Sequence, residues 1–177
     1  STLLITNNKQ KIGEMSCNPS IGGLGKGHLV REIDALDGII AKAADASGIQ
    51  FRILNASKGP AVRGLRVQAD RELYKNEISK LLKKEKNLKI IEDEVIDLNI
   101  NNKFVTGVIL SKQKIVSCET VVLTTGTFLN GLIHIGKKKN PGGRIGERAT
   151  HGLSKTFKKY GFNLGRMKTG TPPRIAQ

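Results

Sequence analysis

The stretch Val95-Ile96-Asp97-Leu98-Asn99-Ile100-Asn101-Asn102-Lys103-Phe104-Val105-Thr106-Gly107-Val108-Ile109-Leu110 decides the fold class. Apolar residues recur at about every second position on both sides of Asn101-Asn102-Lys103, and the polar residues between them carry turn chemistry. Strands are therefore predicted at 95–100 and 104–110, with 88–91 and 114–118 as further short strands beside them. Upstream the apolar period lengthens to about four: Leu73, Ile78, Leu81 and Leu82 make one stripe beside a Lys-rich face, which predicts a helix over residues 67–84. Downstream, Val121-Val122-Leu123-Thr124-Thr125-Gly126 is nearly continuous in apolar character and predicts a strand buried on both faces.

Further out, Ser1-Thr2-Leu3-Leu4-Ile5-Thr6 reads as a strand, and Thr171-Pro172-Pro173-Arg174 has a loop composition. A chain that starts without Met in an apolar run and stops in a loop reads as an internal piece of a longer protein. Cys17-Asn18-Pro19-Ser20-Ile21-Gly22-Gly23-Leu24-Gly25-Lys26-Gly27 predicts a compact loop, since Asn-Pro and repeated Gly favour turns. From His28 the apolar Leu29, Val30, Ile33, Leu36, Ile40, Ala43 and Ala44 fall at helical spacing, with Gly48 available to end the helix. Gly38 within it costs about 1 kcal/mol relative to Ala. Ile49-Gln50-Phe51-Arg52-Ile53 alternates as a half-buried strand, which Asn55-Ala56-Ser57-Lys58-Gly59-Pro60 breaks. The sum is an α/β domain with an antiparallel β-meander insertion.

Composition narrows the class of partner. The 177 residues carry 30 Lys+Arg against 15 Asp+Glu, a formal charge of +15 that points to a polyanion. The excess is uneven: residues 1–129 hold 19 basic and 14 acidic side chains (+5), whereas 130–177 hold 11 basic ones and only Glu147 (+10). The apolar runs fall far short of the roughly 20 residues that span a bilayer, so neither a membrane-spanning nor a secreted chain is expected. Cys17 and Cys118 lie too far apart for a short metal-ligand spacing, and His28, His134 and His151 do not supply one. A reducing, cytoplasmic location fits.

Several residues could carry chemistry. The Gly-rich loop matches neither Walker A nor the GxGxxG fingerprint, so a tight structural turn and a ligand loop stand level. Cys17 sits in that loop ahead of a helix N-terminus and near Lys26, which would favour a thiolate, and a merely buried thiol stands level with that reading; Cys118, in a strand pattern, reads as an inert core thiol. Lys58, Arg63, Arg66 and Arg71 are read as opening a helix after a Gly-Pro loop, where solvated surface and contact with a phosphate-bearing ligand are both open. Lys137-Lys138-Lys139 and the later Arg144, Arg148, Lys155, Lys158, Lys159, Arg166, Lys168 and Arg174 form a basic field interleaved with Phe157, Tyr160 and Phe162. That mixture suits RNA, although the spacing of Phe157 and Tyr160 also suits core packing.

Four stretches go further. Met15-Ser16-Cys17-Asn18-Pro19-Ser20-Ile21-Gly22-Gly23-Leu24-Gly25-Lys26-Gly27-His28-Leu29-Val30 closely resembles the signature of the MnmG (GidA) family of tRNA uridine 5-carboxymethylaminomethyl modification enzymes. Gly48-Ile49-Gln50-Phe51-Arg52-Ile53-Leu54-Asn55-Ala56-Ser57-Lys58-Gly59-Pro60-Ala61-Val62-Arg63, then Thr125-Gly126-Thr127-Phe128-Leu129-Asn130-Gly131, and finally Lys168-Thr169-Gly170-Thr171-Pro172-Pro173-Arg174 agree with it in the family's order.

The resemblance implies an FAD-dependent enzyme that acts with the GTPase MnmE on the wobble uridine of tRNA. Methylenetetrahydrofolate donates one carbon, NADH reduces the flavin, and glycine or ammonium completes the side chain. It also implies a homodimer that joins MnmE in a heterotetramer, and a Rossmann-like FAD/NAD(P)-binding fold. On this resemblance, 1–130 would be the central part of the FAD domain and 131–177 the start of an inserted basic region. The family's flavin contacts match Val95 and Thr150, the latter where relatives often have Ser. Thr125-Gly126 would let a cofactor approach the backbone, and Cys17 matches a cysteine implicated in the chemistry as a nucleophile or as manager of a flavin-linked intermediate. The family's pyrophosphate loop would precede Ser1, and its second cysteine, NAD-binding stretch and C-terminal helical region would follow Gln177, so the fragment alone is expected to be inactive. A non-catalytic RNA-binding module and the related folate- and FAD-dependent tRNA uridine methyltransferases are the alternatives.

Overall fold

The computed structural model describes residues 1–15, 18–126, 129–144, 146–147, 149–168 and 170. The chain divides by packing into two units, Ser1–Glu92 and Asp93–Gln177. The boundary that the resemblance implies, at 130/131, lies within the second of these units.

In the first unit, β1 (Thr2–Thr6) pairs in parallel with a strand far along the chain, Leu88–Glu92. Residues 88–91 therefore do not open the meander. The helix before them ends at Lys84, and the chain then returns alongside β1, with Thr2 N–H donating to the Asn87 carbonyl at 2.8 Å.

A three-stranded antiparallel sheet follows, ordered β2 (Ser20–Gly22), β4 (Gly64–Ala69), β3 (Gly48–Leu54). Between β2 and β3 the predicted single helix is two: α1 (Lys26–Ala35) and α2 (Ile39–Ser47). Asp37 breaks them by taking φ 64°, and the Leu36 and Gly38 N–H groups both close onto the Ile33 carbonyl, at 3.2 and 2.9 Å. Gly38 is thus a helix boundary and not an interior defect.

The helix predicted over 67–84 also begins later. Val67, Gln68 and Ala69 belong to β4, where Val67 opposes both Ile21 and Phe51, and α3 runs from Arg71 to Lys84. Asp70 sets that start: its carboxylate accepts from the Leu73 N–H at 2.9 Å, with Glu72 in the first turn and Lys83 and Lys84 in the last, each suited to the helix dipole. The core of this unit is Ile21, Ala43, Ala44, Ala69, Tyr74 and Ile78. The alanines let α2 approach β4 and α3 closely, and the buried Ser47 hydroxyl is satisfied by the Ala43 carbonyl at 2.6 Å. Strand β3 is less covered than its alternation predicts, with Ile49, Phe51 and Ile53 67%, 60% and 53% exposed.

The parallel partner of β1 is β5, and the second unit begins directly after it with the meander β6 (Val95–Asn101), β7 (Phe104–Leu110) and β8 (Ile115–Ser117). Asn102 and Lys103 both take positive φ, the pattern of the two-residue turns whose twist matches paired strands. Val108 and Leu110 are buried. Residues 121–126 are not a strand: no described residue pairs with them, and Val122 is 86% exposed. A strand buried on both faces needs neighbours on both edges, and the described residues supply none. Last come the hairpin β9 (Leu132–Ile135) with β10 (Lys138–Pro141) and the short α4 (Leu153–Lys159), which packs on β6. The fold is mixed α/β, with parallel and antiparallel pairing. Among the described residues no helix is long and apolar enough to cross a membrane.

Two predictions follow from this packing. A Cβ built on Gly22, at φ 109°, falls 2.1 Å from the Leu65 carbonyl oxygen; Gly22→Ala should cost about 2–4 kcal/mol in denaturant unfolding, because strain and a backbone clash add. In the second unit Asp93 accepts from the Ser111 hydroxyl at 2.6 Å and the Glu94 N–H at 2.7 Å, and these bonds, the Ser111 one first, hold its carboxyl below the usual range. Because the folded form favours the anion, the contribution to stability is present above the ordinary carboxylate range and is lost as pH falls through the lowered value. Carboxyl NMR titration should show Asp93 moving back up in Ser111→Ala.

Candidate functional site

The Gly-rich loop is explained by packing. Gly23 N–H donates to the Leu65 carbonyl at 2.8 Å, so the loop lies against β4 at a distance that only a residue without a side chain permits at Gly22. Helix α1 starts from Gly25, whose N–H donates to His28 Nδ1 at 3.2 Å, the return half of a capping box. Neutral His28 then carries its proton on Nε2. Lys26 Nζ turns back to the Ser20 carbonyl at 2.8 Å. A cavity of about 220 Å³ beside the loop is lined by His28, Arg31 and Arg63 but also by Asp34 and Asp45, so its charges are mixed. The glycines of this loop thus have a structural reason of their own, the close approach to β4. Cys17 lies outside the described residues.

The remaining expected site residues all fall in the second unit. Val95 opens β6, opposite Leu110, immediately before a register shift that leaves Ile96 without a ladder partner. Thr125 is half-buried and Gly126 exposed at φ 59°. Thr150 is buried and forms an isolated parallel bridge with Leu129. The segments meet: a Cβ on Gly152, at φ 117°, would fall 2.2 Å from the Ile96 carbonyl oxygen, so the 150–152 turn lies against the start of β6. The Thr156 hydroxyl on α4 donates to Asp97 Oδ1, which clamps the helix to the same strand. Backbone from 95–96, 129–130 and 150–152 is thereby gathered at one place.

The residue that ties 129–130 to 150–154 is Asn130, which the sequence offers only inside a matching stretch. Its N–H donates to the Thr150 carbonyl at 2.9 Å, and its own carbonyl accepts from Arg166 Nη2 at 3.1 Å. Its side-chain amide donates to the Ser154 hydroxyl, which turns Oδ1 to His151 Nδ1 at 3.0 Å. With Oδ1 accepting, the neutral His151 ring carries its proton on Nδ1 and leaves Nε2 as an acceptor. Asn also tolerates the φ of 47° that this position takes. The dipeptide Asn130-Gly131 is the local sequence signal that could have found it.

The basic field splits. Arg144 lies 3.7 Å from Glu147 and Arg166 is tied to Asn130, whereas Lys137, Lys138 and Lys139 sit exposed on the β9–β10 hairpin. Arg148 and Arg174 lie outside the described residues. Of the aromatics, Phe157 packs edge-on against Phe162, centroids 5.7 Å apart, while Tyr160 is exposed with Lys159 over its ring. Cys118 is a half-buried free thiol just beyond β8, less enclosed than a core cysteine.

The family model described as Glucose inhibited division protein A matches residues 1–177. Two solved structures, Aquifex aeolicus GidA in its form I and form II crystals, are each 48% identical to this chain at a TM-score of 0.89. Each comparison covers 96% of this chain and 28% of the Aquifex chain, so the sequence spans about a quarter of those relatives' length.

Asn130 yields a stability test with an internal control. Asn130→Ala should cost about 2–3 kcal/mol, from two lost side-chain hydrogen bonds plus a left-handed backbone, and Asn130→Gly about 1 kcal/mol less, since only the bonds are lost. Equal losses in chemical denaturation would mean that the backbone conformation is not under strain.

Proposed function

The chain belongs to the Glucose inhibited division protein A family, and from that premise we propose that it is the part of a flavin-dependent tRNA-modifying enzyme that holds one side of FAD and offers a basic surface to tRNA. The observation that carries the reading is the convergence of 95–96, 129–130 and 150–152 in one unit, with Gly152 set against the Ile96 carbonyl and Asn130 bonded to Thr150.

The residues fit an FAD. What they offer is backbone: Ile96 has no ladder partner on β7, Gly126 is exposed, and Gly152 lies against the Ile96 carbonyl. A flat, polar ring system is bound by such N–H and C=O groups, and in this reading Val95, Thr125, Gly126 and Thr150 supply them. Bound FAD supplies the redox chemistry. The chain's own share is to fix the cofactor's orientation through the Asn130 network, and Cys17 acts as the nucleophile or as the group that manages a flavin-linked intermediate. The exposed lysines of the β9–β10 hairpin attract the phosphates of tRNA.

The finer chemistry is that of the resemblance: installation of the 5-carboxymethylaminomethyl group on the wobble uridine, with the carbon from methylenetetrahydrofolate, reducing equivalents from NADH, and glycine or ammonium as the last substrate. A homodimer working with MnmE in the cytoplasm completes it.

The test is the visible spectrum of the full-length gene product, followed by nucleoside analysis of tRNA treated with it. Flavin bands together with a modified wobble uridine are expected, and loss of modification in Cys17→Ser. A folded protein without flavin would sink the reading and favour the RNA-binding module; a methylated uridine elsewhere in the tRNA would favour the methyltransferases.

A further inference from the structure

Two arginines oppose each other across the β3–β4 ladder. Arg52 pairs in register with Arg66, and Gln50 with Gln68 next to them. Directly opposed residues of antiparallel strands share a face, so all four side chains rise from one side of the sheet. The opposite face, with Ile21 and Val67, packs into the core of the first unit. Neither Asp nor Glu occurs in β2, β3 or β4, and among the described residues no ion pair involves Arg52 or Arg66.

This arrangement is costly unless something answers it, because like charges opposed across a ladder destabilise the pairing. It is also pre-organised. Arg66 is half-buried, its Nη2 donates to Gln68 Oε1 at 3.3 Å, and Gln68 Nε2 donates to Asn18 Oδ1 at 2.9 Å. The relay orients one guanidinium without neutralising it, and it ends on the residue that follows Cys17. Arg63, by contrast, places its Nε on the Lys58 carbonyl at 3.1 Å. Guanidinium groups bind phosphate oxygens in pairs through their planar forks, so two of them with no carboxylate between match a tetrahedral anion.

We propose that Arg52 and Arg66 form a binding site for a phosphate group carried by a nucleotide, held between the two guanidinium groups on the open face of the sheet. The site lies in the first unit and uses none of the residues assigned to the flavin, so a failure of one assignment leaves the other standing.

The experiment compares Arg52→Gln and Arg66→Gln in the full-length protein, measuring Tm and the affinities for an unmodified tRNA transcript and for NADH over a salt series. An unchanged or higher Tm is expected, because the repulsion is relieved, with affinity for one probe weakened about 10-fold or more per substitution. If the tRNA arm weakens and its salt slope falls by about one per arginine, the phosphate is that of the RNA backbone. If only NADH weakens, it is a dinucleotide phosphate. A lower Tm, loss of the fold, or full affinity for both probes in folded variants would overturn the proposal.

Discussion

The carbonyl oxygen of Leu65 governs the first unit. It receives the Gly23 N–H and occupies the volume where a side chain on Gly22 would lie, so β2 and the loop after it can be laid directly on β4. From that contact Gly25 and His28 start α1, α1 leads through the Asp37 break to α2, and the small residues of α2 close the core against β4 and α3. The second unit solves the same problem in the same way, with the Ile96 carbonyl in the place of Leu65 and Gly152 in the place of Gly22. In both, a glycine brings a turn against the backbone of a strand, and a short helix departs from it.

This economy bears on function. Turns fixed by backbone contact leave side chains nearby free for other work, and in the second unit that work is the Asn130 network beside Thr150. The Asn130 side chain uses both its amide nitrogen and its oxygen in this way, and no buried side-chain polar atom among the described residues lacks a partner.

Legibility in the sequence followed the locality of the cause. The meander strands 95–100 and 104–110 and their turn were readable, since alternation and turn chemistry act within a few residues. The parallel pairing of Leu88–Glu92 with Thr2–Thr6 was not, because nothing local to residues 88–91 names a partner some eighty residues away. Asp70 could have ended the predicted helix at its true start, but the apolar Val67 and Ala69 fit either period. Asp37 could have divided α1 from α2 had it been weighed with Gly38 as a pair. The 121–126 run shows the converse: its composition asks for two neighbouring strands, and composition alone does not provide them. At the site, Val95 and Thr150 came from resemblance, whereas Asn130 needed the structure, since its four contacts reach residues 150, 151, 154 and 166.

Strand β3 lies at the end of its sheet with Ile49, Phe51 and Ile53 bare on one side. Such an edge, apolar and without a partner strand among the described residues, is a template on which another copy could add its own β3, and chains that do so aggregate. The only charge within Gly48–Leu54 is Arg52, at the strand's middle. Stacking a second β3 alongside would bring its guanidinium near another, and burying either would strip it of water. A charge that nothing in the sheet neutralises therefore has a second consequence: Arg52 opposes the edge-to-edge pairing that the bare apolar side chains of β3 would otherwise favour.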